Sequence, residues 1–343
     1  MNILEIDGSF GEGGGQILRS TLSLACITST PIKIKNIRNN RKMPGLQAQH
    51  LTAAKILAKT CNAKTDGLHL GSTSLTFVPG QMQDVSISED IGTAGSISLI
   101  LQAVIPAVAL AGKKLHLQIR GGTDVPWSPT SNYTKYVVAE AYRRIGIDFT
   151  MKIERRGYYP KGGGLVEVIA SPAKTVFPIC LQQRMQKEAR IICSCTELTG
   201  TIEKSINTAK NMLEQNGFSV LIETAQEKAA NRGGSALVFS SDPNSINGAD
   251  ELLDIHNEDK FTSRSAMTFI NSDLGADVNL SDMLVVPLSL CNEMSIFTVK
   301  TISKHLETNL YITSKILGCK YGIGKIDGGY EVRLQGISNA RIK

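Results

Sequence analysis

Apolar and polar positions along the chain recur in a fixed succession. Gly13-Gly14-Gly15 opens a stretch from Gln16 to Thr28 with helical spacing, and Pro31 to Arg38 then alternates apolar and polar residues as a half-buried strand does. A polar loop passes through Pro44-Gly45 into a second helical stretch, where Leu51, Ala54, Ala58 and Cys61 recur one turn apart. Strands follow near Gly67 to Val78. The succession restarts at Gly92-Thr93-Ala94-Gly95 with a helix through Ala111, a strand Leu115–Arg120, a loop to Pro129, a helix near Tyr133 to Ile145, and more strands. Arg38 and Arg120 close equivalent strands, which gives a period of 82 residues. A third copy has a helix from Leu280 to Cys291, a strand Ser295–Thr301 and a helix from His305 to Leu317. Thr301 lies 181 residues after Arg120, 99 more than one period, so an insertion of about that size separates copies two and three.

The inserted segment, from about Phe177 to Asp273, has elements of its own. Ala189 to Thr196 reads as a strand, Thr201 to Asn216 as a helix stopped by Gly217, and Phe218 to Glu223 and Ser235 to Ser240 as strands. The expected fold class is therefore α/β (α+β): three repeated units of two helices on a four-stranded sheet, plus a smaller inserted α/β domain. The expected boundaries are 1–176 for repeats one and two of the main domain, 177–274 for the insert, and 275–343 for repeat three.

Composition narrows the class further. With 42% hydrophobic and 20% charged residues, wholesale disorder, a collagen-like rod and a coiled coil are excluded. The apolar stretch Ile97–Ala111 is broken by Ser98, Gln102 and Pro106 and falls short of the roughly 20 residues a bilayer requires. No membrane span is expected. Met1 to Asp7 lacks a basic region followed by an apolar one, so the expected compartment is the cytoplasm. The net charge of +6 favours an anionic partner. Of the seven cysteines only Cys193-x-Cys195 is closely spaced; it is expected to split across the faces of a strand, as packed thiols rather than a zinc site or a disulfide.

Candidate chemistry gathers at the strand-to-helix junctions. Gly11-Glu12-Gly13-Gly14-Gly15-Gln16 opens a helix in the way that lets backbone N–H groups hold phosphate, with Gln16, Arg19, Ser20 and Ser23 on one polar face. Glu12 among these glycines could hold Mg²⁺ between phosphate oxygens. The loop Arg38 to His50 brings Arg38, Arg41 and Lys42 to a helix N-terminus, where cations oppose the helix dipole. It reads equally as a solvated basic loop or as a cradle for an RNA or ATP phosphate. His305 occupies the matching junction in copy three, and its use as a nucleophile needs an unprotonated ring nitrogen with cations nearby. Trp127, the only tryptophan, fits either a core position or a base-stacking platform.

Together these stretches carry a resemblance. Glu12-Gly13-Gly14-Gly15-Gln16-Ile17-Leu18-Arg19, Pro44-Gly45-Leu46 with Gln49-His50, Gly92-Thr93-Ala94-Gly95-Ser96 with Leu101-Gln102, Gly121-Gly122-Thr123-Asp124, Gly157 to Gly164, and His305-Leu306-Glu307-Thr308-Asn309 resemble the signatures of the RNA 3′-terminal phosphate cyclase family, in family order and over almost the whole chain. The family's threefold-repeated α/β fold with an inserted domain agrees with the repeat spacing.

The resemblance implies an ATP-dependent nucleotidyl transfer of ligase type on RNA ending in a 3′-phosphate. A histidine attacks the α-phosphate of ATP, AMP passes to the RNA 3′-phosphate, and the neighbouring 2′-oxygen displaces it to close a 2′,3′-cyclic phosphodiester. Carried over by motif, His305 is the nucleophile and Glu12 the residue for Mg²⁺ or Mn²⁺ and triphosphate. Gln16, Arg19, Arg38, Arg41, His50 and Gln102 line the nucleotide and phosphate pocket, and Pro129 packs on the adenine. The stretch Asn279-Leu280-Ser281-Asp282-Met283 stands where the family has one like His-Leu-Ala-Asp-Gln, beginning with His or Tyr. It keeps the aspartate and loses the flat ring. The competing interpretation is a noncatalytic cyclase-like protein that binds RNA in ribosome assembly, a branch in which the nucleophilic histidine is missing; enolpyruvyl transfer on a similar repeated unit has no use for the histidine motif. A homodimer stays open.

Overall fold

The computed structural model describes residues 3–338; Met1, Asn2 and residues 339–343 lie outside the described residues. The first unit runs β1 (Leu4–Asp7), α1 (Gly15–Thr28), β2 (Ile32–Lys35), α2 (Ala48–Thr60), β3 (Lys64–Asp66) and β4 (Leu75–Val78), with its sheet ordered β1-β2-β4-β3. The second runs β5 (Val85–Asp90), α3 (Ile97–Leu110), β6 (Leu115–Gly121), then α4 (Ser131–Tyr133), which continues through a π-helical turn, Thr134–Val138, into α5 (Ala139–Arg144), and ends with β7 (Phe149–Arg155) and β8 (Gly164–Ala170). Its order, β5-β6-β8-β7, is the same.

The third unit begins before the insert. Cys180–Leu181 form β9, whose sheet partner lies more than a hundred residues further on. Between them come β10 (Glu188–Cys195), α6 (Gly200–Gln215), β11 (Ser219–Gln226), β12 (Gly234–Asp242), β13 (Ser245–Leu252) and α7 (Phe261–Ile270). The chain then completes the unit with α8 (Val278–Leu288), β14 (Met294–Val299), α9 (Lys304–Leu317), β15 (Lys320–Ile326) and β16 (Gly329–Gln335). The order β9-β14-β16-β15 repeats the pattern, with β9 parallel to β14. The two connections to the insert lie side by side: Gln183 bridges Leu274, and the Arg184 N–H donates to the Asp273 carbonyl at 2.9 Å.

The first helix of each unit is buried nearly all round, which fits an inner position rather than a surface stripe. α1 packs on α3 and α3 on α8, while α2 lies across α1 and α3 and α9 across α8 and α1. One continuous core results, and the insert keeps two small clusters of its own. No helix among the described residues is long and apolar enough to cross a membrane.

Three local expectations change. β2 ends at Lys35, and Arg38 sits beyond it in a turn with φ 55°, so only Arg120 lies within its strand. The spacing survives, because β2 and β6 start 83 residues apart. Cys193 and Cys195 are both buried in one cluster, since residues two apart on a strand share a face. β13 and α7 were not foreseen: β13 is built from small and polar residues, Ser245-Ile246-Asn247-Gly248-Ala249, buried without apolar alternation.

Candidate active site

The glycine turn before α1 is tight because other side chains press on it. Gly11 and Gly13 have φ of 67° and 57°, and a Cβ on Gly15 would stand 2.2 Å from His50 Nε2 and 3.0 Å from Arg19 Nη1. α1 has no side-chain cap, so its first N–H groups remain available to an anion. The turn forms one wall of a cleft of about 870 Å³. Glu12, Gln16, Arg19, Arg38, Arg41, His50, Gln102, Pro129, Asn279, Asp282, Met283 and His305 all line it. Two expected residues do not. Leu280 points into the core with no exposure, and the Ser281 hydroxyl turns back to donate to the Val278 carbonyl.

His305 is the second residue of α9, whose N-terminus is capped by the Ser303 hydroxyl oxygen accepting the Leu306 N–H at 3.0 Å. Its Nε2 lies 3.6 Å from Glu12 Oε2, and its Nδ1 is buried without a partner. The same Glu12 oxygen accepts from Arg41 Nη2 at 2.6 Å. Burial lowers the pKa of His305; Glu12 opposes this, and the charges of Arg19 and Arg41 add to it. The ring is thus biased toward its neutral, nucleophilic form.

The Arg38 guanidinium donates to the carbonyls of Met43 at 2.6 Å and Gly45 at 3.1 Å, which fixes the loop that carries Arg41. His50 closes a capping box: Gln47 accepts from the His50 end of the first turn, and His50 Nδ1 accepts the Gln47 N–H at 3.3 Å. Burial, then the charges of Arg19 and Arg38, push its pKa down to about 3. A neutral ring that accepts at Nδ1 carries its proton on Nε2. His50 therefore presents a donor toward the glycine turn.

Arg19, Gln102 and Asp282 hold matching places on the three inner helices, 83 and 180 residues apart, in step with the repeat. They converge where the units meet. Gln102 Nε2 donates to Asp282 Oδ1 at 3.1 Å, Arg19 Nη2 donates to Gln16 Oε1 at 2.5 Å, and Gln16 Nε2 reaches Asn309 Oδ1 at 3.1 Å. Asn309 in turn donates to the Asp282 carbonyl at 2.7 Å. Burial raises the Asp282 carboxyl to about 7 against the pull of Arg19. Arg19 Nε and Gln102 Oε1 are buried with no partner, an arrangement native proteins rarely leave unless a ligand satisfies it.

Other residues of the cleft had no signal in the sequence. Gln49 accepts the Ser96 N–H at 2.9 Å and so ties the first unit to the second. The insert sends in Asp250, Glu251 and Leu252 from the end of β13. Asp250, which burial raises to about 6, accepts the Thr130 N–H at 2.6 Å and anchors the loop carrying Pro129. Arg156 clamps insert and main body together, pairing with Asp124 at 3.1 Å and Glu227 at 2.6 Å and donating to Asn132 at 2.8 Å and Ser194 at 3.0 Å. None of these contacts is local, so spacing along the chain could not reveal them.

Glu12 suits an ion that arrives with phosphate. Mg²⁺ commonly takes one or two carboxylates together with substrate phosphates, and no group of three or more His, Cys, Asp or Glu forms a dedicated cage among the described residues.

Comparison with known proteins bears on this arrangement directly. The profile of the family described as "RNA 3′-terminal phosphate cyclase" matches residues 10–323. A protein of that name from Methanococcoides burtonii is 35% identical over 334 residues, covering 97% of this chain and all of its own length. Others of the same name, from Korarchaeum cryptofilum and Saccharolobus islandicus, are 36% and 37% identical, with 94% of this chain and 94% and 96% of theirs covered. The chain belongs to the RNA 3′-terminal phosphate cyclase family.

Proposed function

We propose that the protein is an ATP-dependent RNA 3′-terminal phosphate cyclase acting through a covalent adenylate on His305. The observation that carries this is His305 itself, with Nε2 facing a cleft that also holds Glu12, Arg41 and Arg19, and with its pKa lowered toward the neutral ring.

The neutral Nε2 lone pair attacks the α-phosphorus of ATP; an N–P bond forms and the bond to the pyrophosphate oxygen breaks. Arg41, Arg19 and the Nε2–H of His50 stand ready to take the charge of the phosphate oxygens. A terminal 3′-phosphate oxygen of the RNA then attacks the same phosphorus and releases His305. The adjacent 2′-hydroxyl oxygen attacks the 3′-phosphorus, loses its proton and displaces AMP, closing the 2′,3′-cyclic phosphodiester. Holding the two oxygens on one ribose makes this last step intramolecular, the arrangement in which positioning contributes most to rate. Asn279, Asp282, Met283, Gln102 and Pro129 receive the adenine. Mg²⁺ or Mn²⁺ held by Glu12 and the phosphates would neutralise charge on the triphosphate.

The test is the product. RNA ending in a 3′-phosphate, incubated with the protein and ATP, becomes resistant to phosphatase, while RNA without ATP stays sensitive. An end that remains phosphatase-sensitive at saturating ATP and divalent ion overturns the proposal.

A further inference from the structure

We infer that Trp127 is the platform on which the terminal base of the RNA stacks, an inference that rests on the RNA substrate proposed above. Trp127 lines the same cleft as His305 and Arg41, yet it is 95% exposed. A large apolar ring with almost no protein contact is unusual. Its backbone is also held at φ 62°, a region that bulky residues rarely adopt and that is found chiefly at binding and catalytic sites.

The loop is built to hold that position. Pro126 and Pro129 flank it, the Ser128 hydroxyl donates to the Val125 carbonyl at 3.0 Å, and Asp250 of the insert takes the Thr130 N–H at 2.6 Å. A ring fixed in this way, with its faces free, is preorganised for stacking, which tolerates any base because every base has a π-face. Its occupant follows from depth. The residues assigned to adenine, Asp282 and Met283, are 6% and 7% exposed and lie in the inner wall, whereas Trp127 stands at the mouth. The group at the mouth is the one joined to the rest of a long substrate, and a terminal phosphate near Arg41 leaves its own base outside. Tyr159, 62% exposed on the same cleft, offers a second aromatic surface there.

Because Trp127 is the only tryptophan, its emission reports the contact without any turnover. The full-length protein is titrated with a short single-stranded RNA ending in a 3′-phosphate, with the same RNA lacking its terminal base, and with ATP alone, and cyclisation is followed in parallel. The terminal base should quench Trp127 emission saturably, the abasic end and ATP alone should not, and an RNA abasic one position further in should quench as the intact one does. Trp127→Ala should raise the KM for RNA between about fivefold and a hundredfold with the KM for ATP unchanged, and Trp127→Phe should recover most of it. Emission unchanged by an RNA that is being cyclised overturns the inference, as does quenching by ATP alone, which would put Trp127 over the nucleotide. Quenching without cyclisation upholds the platform and overturns the proposed activity instead.

Discussion

His305 and Glu12 face each other across the seam between the third and first units, with Nε2 3.6 Å from Oε2, and the same carboxylate oxygen holds Arg41 at 2.6 Å. One carboxylate thus sits between the nucleophile and a phosphate-binding cation. It opposes the drop in His305 pKa that burial and the arginines produce.

The two neighbours should move the pH dependence of His305 in opposite directions. Arg41→Ala removes a positive charge, so the pKa rises and the acid limb of adenylate formation shifts to higher pH. Glu12→Gln removes the opposing negative charge and shifts the limb to lower pH. Single-turnover rates of enzyme labelling measured against pH check this, and limbs that shift in the same direction contradict it.

His50 makes a prediction about stability. Its folded pKa of about 3 lies below the ordinary 6.5, so its contribution is complete above 6.5 and is lost as pH falls toward 3. Asp282, raised to about 7, acts with the opposite sign: its contribution is complete at low pH and is lost as pH rises through 7. The two partly cancel in the wild type, so the difference between proteins is the useful quantity. His50→Gln keeps an acceptor for the Gln47 N–H, since glutamine serves at that place in a capping box. Relative to the wild type it should gain about 2 kcal/mol near pH 5 compared with neutral pH. Urea unfolding at the two pH values measures this, and an equal gap at both contradicts it.

Asn279 stands exposed in the cleft where the family resemblance leads one to expect a flat ring. Its backbone N–H is fixed to Asp277 Oδ1 at 2.9 Å, so a new side chain there keeps the same direction of departure. Asn279→Tyr should lower the KM for ATP by about tenfold, since base stacking contributes roughly 1–3 kcal/mol, and leave the KM for RNA unchanged. A well-folded variant with an unchanged or higher ATP KM shows that Asn279 does not meet the base.

Arg156 is 3% exposed, and its charge is held against burial by Asp124 and Glu227. Arg156→Ala leaves Asp124 buried without a partner and should destabilise the protein by about 3–5 kcal/mol. The clamp joins the insert to the body that carries Thr130, so RNA binding should weaken as well. Thermal unfolding checks the first effect, and a shift within error of wild type contradicts it.

Much of this was legible in the sequence because the repeat is written in local signals. Alternation at Ile32 to Lys35 and Leu115 to Arg120, glycine turns and helical spacing all act over a few residues, and the equal spacing of Arg19, Gln102 and Asp282 follows from the same period. The motif residues Glu12, Arg41 and His305 could be singled out for the same reason. What could not be read was convergence. Nothing near Cys180 announces a strand that pairs with Ile296 and Phe297, and nothing near Asp250 announces a hydrogen bond to Thr130. Leu280 and Ser281 were placed in the site by motif, but a helix turns about 100° per residue, and neighbours of Asn279 and Asp282 necessarily face elsewhere.

The most direct measurement is covalent labelling of the purified protein by ATP carrying its label on the α-phosphate. The account predicts a stoichiometric adduct, labile to acid and stable to alkali as a phosphoramidate is, absent in His305→Ala and discharged by RNA ending in a 3′-phosphate. Normal labelling of a folded His305→Ala protein, or an adduct that such RNA does not discharge, contradicts it.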